Sequence, residues 1–216
     1  MSWPPAPEAV TELVRRLAAG GLALLPTDTV YGLAAALDAP AGVDALYALK
    51  GRPREQPCQV LLFAPGALTE ALAALPEPAR TVAADLLPGP ATCLVPDPEL
   101  RYRAASGATP GTVGLRAPDM GGALDALDIP LVATSANDPG GPDPAVLDAV
   151  PAELRAATAA VDAGRLPGTA SAVVDLRPLA EGGAAVLIRP GPDPDALRAR
   201  LARHGVALQA SVGGGV

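Results

Sequence analysis

GLALLPTDTVYGL, residues 21–33, runs from four consecutive apolar residues straight into a loop carrying two threonine hydroxyls and a carboxylate. LALL (22–25) reads as a short buried strand, stopped by Pro26. Thr27, Asp28 and Thr29 then stand at a strand end, where ligands of open α/β sheets tend to bind. A polar turn, in which Thr and Asp bond their own backbone, accounts for the same residues equally well. Upstream, EAVTELVRRLAAGG (8–21) sets Val10, Leu13, Val14 and Leu17 on one face of an amphipathic helix closed by Gly20 and Gly21. Downstream, Asp38 is expected to cap a helix through GVDALYALK, with Pro40 near its first turn. VLLF (60–63) is a second buried strand, followed by helical segments over 66–75 and 77–87. PGPATCLVP turns into a strand, TVGLRAP (112–118) is another, MGGALDALD a short helix, and PLVAT (130–134) a core strand entering SANDPGG. Strands near 159–162, 172–176 and 185–189 and a helix from Asp195 to His204 follow. This irregular alternation predicts an α/β fold on a twisted, open, mixed sheet, one domain over 1–208 with a flexible tail at 209–216.

Half the residues are apolar, but with one Phe, one Trp and three Tyr the core must be aliphatic. No run approaches the roughly 18 apolar residues of a membrane span. The amino terminus, MSWPPAPEAVTELVRR, is not patterned as a signal peptide, and Cys58 and Cys93 form neither a metal nor a redox spacing. A reduced cytoplasm is the expected setting, and a protein-held metal is not expected. A net charge of −7 argues against a large non-specific nucleic-acid surface. The basic residues instead cluster, as Lys50, Arg52 and Arg54, Arg101 and Arg103, then Arg116 and Arg189, which suits a pocket for a compact anion.

Lys50 is the only lysine among sixteen basic residues, so this position asks for something arginine does not supply. A cation at a helix C-terminus is favoured by the dipole, which explains a charge there but not the choice of lysine. A compact ammonium with three rotatable donors suits a phosphate oxygen in a narrow pocket, and the planar fork of Arg52 complements it. ATSAN (133–137) sets Thr134, Ser135 and Asn137 at one strand end, with a plain polar turn as the competing reading. Arg116, late in an apolar strand, either snorkels at an edge or grips a carboxylate or phosphate, and Arg189 in LIRPG poses the same choice. His204, the sole histidine, lies on a polar C-terminal helix, so no Ser-His or Cys-His couple exists. Cys93 on an apolar strand reads as packed.

Taken in order, PTDTVYGL, LKGRP, PGPAT, TVGLRAP, ATSANDPGG, SAVVDL and LIRPG resemble the motif series of the YrdC-like family, the threonylcarbamoyl-AMP synthases. The resemblance covers residues 8–192 and implies a sheet with helices around a deep, positively lined cavity. It implies formation of threonylcarbamoyl-adenylate and pyrophosphate from L-threonine, bicarbonate and ATP, feeding threonylcarbamoyl modification of tRNA through a downstream transferase complex. By that resemblance Lys50 and Arg52 bind the ATP phosphates and are the catalytic pair, while Ser135, Asn137, Thr112 and Arg189 contact the nucleotide. Thr27, Arg116 and Ser171 line the threonine side, Arg116 as partner of its carboxylate, and Mg2+ is expected to arrive with ATP. The sequence departs from the pattern at Ala172, where a threonine is usual, at Asp143, where a serine is common, and at Cys58-Gln59. A same-fold relative with another carbamoyl- or acyl-adenylate chemistry is one competing reading. An RNA-binding module is the other, made poor by the acidity and the scarcity of aromatics.

Overall fold

The computed structural model describes residues 3–210. Its strands are β1 (Leu22–Leu25), β2 (Gly32–Ala36), β3 (Gln59–Leu61), β4 (Ala91–Pro96), β5 (Thr112–Arg116), β6 (Leu131–Ser135), β7 (Ala159–Ala160), β8 (Ala172–Asp175), β9 (Ala185–Arg189) and β10 (Leu208–Ala210). The helices are α1 (Pro7–Ala18), α2 (Pro40–Leu49), α3 (Pro65–Ala73), α4 (Ala79–Leu86), α5 (Ala152–Ala156) and α6 (Pro194–Arg203). All ten strands join one sheet in the order β10-β9-β8-β4-β5-β3-β6-β2-β1-β7. The sheet is mixed: β3 runs parallel to β5 and β4 to β8, whereas β4–β5, β3–β6 and β2–β6 are antiparallel.

Because side chains alternate along a strand, the registers sort every residue to one of two faces. Val60, Cys93, Leu115, Val132 and Val174 share a face, and α2, α3, α4 and α6 cover it with Leu46, Leu68, Val82, Leu86, Leu197 and Leu201. On the opposite face, α1 brings Val10, Leu13 and Leu17 onto Leu25, Ala34, Ala36, Leu61 and Leu131. That second cover is partial. Gln59 pairs with Gly114 and with Ala133, and Thr92 pairs with Arg116 and Val173. Gln59, Thr112, Gly114, Arg116, Thr92, Ser171, Arg189 and Ser135 therefore all leave the sheet on the face that α1 covers only in part. No helix among the described residues is long and apolar enough to cross a membrane.

Three local expectations change, and one segment left without an assignment proves to be a strand. GLAAA forms β2, although its alanines favour helix; all five residues are fully buried between β1 and β6, where small side chains fit and tertiary pairing overrides propensity. Asp38 does not cap α2: the preceding residue is Ala39, without a side-chain cap, and Pro40 supplies the fixed φ of the first turn. MGGALDALD is a series of turns rather than a helix, since Gly121 and Gly122 take φ of 60° and 81°, with Leu124 and Leu127 plugged into the α1 cluster. Finally, residues 209 and 210 of the expected tail complete β10, parallel to β9, while 211–216 lie outside the described residues.

One close approach fixes the β8–β9 end. Gly191, at φ +72°, follows β9 so tightly that a Cβ there would meet the Ala172 backbone nitrogen at 2.4 Å. Gly182 has nearly the same φ, +73°, in open space. Denaturant unfolding should show Gly182→Ala costing about 1 kcal/mol from left-handed strain alone, and Gly191→Ala costing over ~3 kcal/mol because strain and overlap add. Equal losses would show that the β8–β9 approach is not constrained at this point.

Candidate active site

The end of α2 builds the first half of the site. Lys50 is the residue capping α2, and the chain turns sharply at Gly51, φ +56°, with the Arg52 amide donating to Tyr47 O at 2.9 Å. The Lys50 side chain does not return to the helix carbonyls. Its Nζ donates to the backbone oxygen of Asn137 and lies 3.4 Å from Asn137 Oδ1. Ser135, at the end of β6, donates to the same Oδ1 at 2.7 Å, and Asn137 Nδ2 donates to Gly141 O at 2.8 Å. Asn137 thus holds the loop and orients the lysine together. Lys50, Arg52, Thr134, Ser135 and Asn137 line a cavity of about 280 Å³.

Arg52 gives one donor to Pro57 O at 2.7 Å, but its Nε is buried without a hydrogen-bond partner among the described residues. Burial, and then the charge of Arg52, push the Lys50 ammonium below the ordinary lysine range, against the pull of Asp138 and Asp143. Two cations held this close, one with an unanswered N–H, favour an anion. Asp143 also pulls on Arg189, so this carboxylate acts on both arginine and lysine sides of the site.

The second half centres on Arg116, whose side chain is 1% exposed. Its Nη1 donates to Gly89 O, and its Nη2 donates to Asp28 and lies 3.3 Å from Thr29 Oγ1. The loop after β1 therefore reaches across to β5. Thr27 shapes that loop: its hydroxyl donates to Val30 O at 2.7 Å and accepts from the amides of Thr29 and Val30. The polar-turn reading of PTDTV holds, since Thr27 closes the turn on its own backbone, while Asp28 carries its charge to Arg116.

Next to it lies a row of polar side chains, of which Thr92 and Ser171 are buried. Thr92 Oγ1 donates to Gln59 Oε1 at 3.1 Å and lies 3.0 Å from Ser171 Oγ. Arg189 donates from Nε to Ser171 O at 2.8 Å and from Nη2 to Ser171 Oγ at 3.3 Å. Thr112 stands apart from Arg116 at the other end of β5 and accepts from Arg177 at 3.2 Å; the register sets it level with Ser135, at the same end of the central strands. Ala172 is 3% exposed and joins the helix-covered core, so the side chain at this departure points away from Ser171.

The structure thus gathers Lys50, Arg52, Ser135 and Asn137 at one cavity and joins Ser171 to Arg189, with Thr27 and Arg116 linked through Thr29. Gln59 and Thr92 are contributors to which sequence reading gave no role, and Asp28, read only as a carboxylate at a strand end, proves to be the partner of Arg116. Asp28 is conspicuous as a carboxylate between threonines, and Thr92 as a hydroxyl in PGPAT, but their partners lie on other strands. Cys93 is fully buried on the helix side, its thiol pushed up to about 12 by burial. His204 pairs with Asp85 at 3.3 Å beside Arg200 and Arg203, on the α6 side of the sheet.

The family described as "Telomere recombination", Sua5/YciO/YrdC, matches residues 15–191. The threonylcarbamoyl-AMP synthase of Pyrococcus abyssi is 33% identical over 198 residues, 87% of this chain and 56% of that protein. The putative threonylcarbamoyl-AMP synthase of Mycobacterium tuberculosis is 32% identical over 188 residues, 85% of this chain and 84% of that protein. The human threonylcarbamoyl-AMP synthase is 36% identical over 137 residues, 60% of this chain and 47% of that protein. The chain spans about half the length of the human and Pyrococcus relatives it matches. Among solved structures, P. abyssi Sua5 complexed with L-threonine superposes with a TM-score of 0.79 at 29% identity, covering 97% of this chain and 61% of that one. E. coli YciO shares the fold, with a TM-score of 0.72 at 20% identity over 89% of this chain and 94% of that one. The match runs through the Lys50 cavity, the Arg116 cluster and the Ser171 row alike, and the chain belongs to the Sua5/YciO/YrdC family.

Proposed function

We propose that this chain is an L-threonylcarbamoyladenylate synthase, a nucleotidyltransferase that joins L-threonine, bicarbonate and ATP into threonylcarbamoyl-AMP with release of pyrophosphate. The observation that carries the reading is the meeting of Lys50, Arg52, Ser135 and Asn137 around one cavity. The names of the relatives and the L-threonine complex of one structural neighbour support it. The amine of threonine attacks CO2, formed when bicarbonate takes up a proton and loses water, and gives up a proton to leave a carbamate. A carbamate oxygen then attacks the α-phosphorus, and pyrophosphate leaves. No side-chain nucleophile is required.

In this reading Lys50 and Arg52 take the phosphates and offset the charge that grows on the leaving pyrophosphate. Ser135, Asn137, Thr112 and Arg189 face the nucleotide, and Thr27, Arg116 and Ser171 the amino acid. Arg116 already carries Asp28, so a substrate carboxylate shares or exchanges that guanidinium. Bringing three reactants together while excluding water protects a labile carbamate. The cavity lining is cationic, and the described residues contain no cluster of three or more His, Cys, Asp or Glu able to hold a metal. Mg2+ is therefore proposed to arrive bound to ATP, held by phosphates and water, where it neutralises phosphate charge. The adenylate is proposed to pass to a tRNA threonylcarbamoyl-transferase in the cytoplasm.

The reading is tested by pyrophosphate release from the purified protein with ATP and bicarbonate, with and without L-threonine, and by the mass of the product. Threonine-dependent release with the adenylate mass is expected; ATP turnover indifferent to threonine would assign the site to another carbamoyl- or acyl-adenylate chemistry. A second test addresses the lone lysine. Lys50→Ala should abolish turnover, and Lys50→Arg should lower kcat at least tenfold, since a planar fork does not reproduce three rotatable donors. Because the Lys50 ammonium is held below the ordinary lysine range, its proton is lost as pH climbs toward that range. The ATP KM of the unmodified protein should then rise at alkaline pH, while that of Lys50→Arg stays flat; parallel profiles would remove Lys50 from the phosphate site.

A further inference from the structure

The row Arg189–Ser171–Thr92–Gln59 has a direction. Thr92 has one hydroxyl proton, and it goes to Gln59 Oε1 at 3.1 Å. The 3.0 Å contact between Thr92 and Ser171 must then be completed by the Ser171 proton, donated to Thr92 Oγ1. Arg189 Nη2, a donor only, occupies one acceptor position on Ser171 Oγ at 3.3 Å. Ser171 is left with no free proton and one free lone pair. Thr92 and Ser171 are each 4% exposed, so water does not readily scramble this order.

The row depends on an opening in the sheet. Gln59 lies on β3 and Thr92 on β4, with β5 between them. The β5 residue opposite Gln59 is Gly114, and a Cβ there would stand 3.2 Å from Thr92 Cγ2 and 3.3 Å from Leu94 Cδ2. Glycine at this point keeps clear the lane through which Gln59 and Thr92 meet.

We infer that Thr92 and Gln59 are positioning residues that hold Ser171 as a hydrogen-bond acceptor toward the amino-acid substrate, so that Ser171 reads the β-hydroxyl of threonine. The inference rests on the synthase reading. A carboxylate has no proton for the remaining lone pair of Ser171 Oγ. The amine has N–H donors while its lone pair goes to carbon, but every amino acid carries the same ones. The β-hydroxyl is the donor that distinguishes threonine from an amino acid of the same carbon skeleton. Without the Thr92 hydroxyl, the Ser171 proton is free to turn toward the substrate and the acceptor preference is lost.

The test compares L-threonine with L-2-aminobutyrate, which lacks only the hydroxyl, in threonylcarbamoyl-AMP-type product formation by the full chain. Unmodified protein should favour threonine in kcat/KM. Thr92→Val, matched in shape, should lower that preference about tenfold through the KM for threonine, with the ATP KM unchanged. Thr92→Ser should restore it. A merely structural role for Thr92 would lower both amino acids alike and leave the ratio intact, which would overturn the inference, as would unmodified protein indifferent to the hydroxyl. Unmodified protein that releases pyrophosphate without any amino-acid dependence would instead overturn the synthase reading and this inference with it.

Discussion

Burying a guanidinium costs several kcal/mol unless its charge and its donors are answered, and the answer given to Arg116 organises the site. Asp28 neutralises it and Gly89 O accepts from it. These bonds tie the loop after β1, the turn before β4 and the end of β5 to one point. Removing Asp28 would strand a charge that is 1% exposed, whereas Asp28 itself, at 13%, retains some access to water. The pair is thus asymmetric: the arginine needs the carboxylate more than the reverse. That asymmetry suits a site in which a second carboxylate approaches the same guanidinium.

Around this point the pleat divides the labour. Val113 and Leu115 of TVGLR pack under the helices, while Thr112, Gly114 and Arg116 emerge on the other face. The same alternation places Thr92, Gln59 and Ser135 beside them. α1 and its cluster cover β1, β2, β6 and Leu61 of β3 on that face, leaving Gln59 and the β5–β4–β8 region for polar side chains. The polar cluster follows from incomplete coverage of this face of the sheet, since α2, α3, α4 and α6 lie on the other.

How much of this was readable in the sequence depended on range. Runs such as LALL and TVGLR announce strands because a local pattern suffices, and Lys50 stood out by being the only lysine. GLAAA did not read as a strand, since alanine carries helix propensity and only pairing on both sides makes it extended. MGGALDALD has a helical apolar pattern that two left-handed glycines break. The partner of Arg116 lies 88 residues away, and Gln59 is 33 residues from Thr92, so neither pairing has a local signature. Asp38 looked like a cap because its chemistry is right, yet Pro40 already sets the start of α2. The family motifs marked which loops matter; they did not say which side chains answer one another.

The most direct measurement of the central claim is a crystal structure of the chain with a non-hydrolysable ATP analogue and L-threonine. The account predicts phosphate oxygens on Lys50 Nζ and Arg52 Nε, with the threonine carboxylate near Arg116 and its hydroxyl on Ser171 Oγ. A nucleotide whose phosphates lie away from Lys50, or a threonine on the helix-covered side of the sheet, would contradict it.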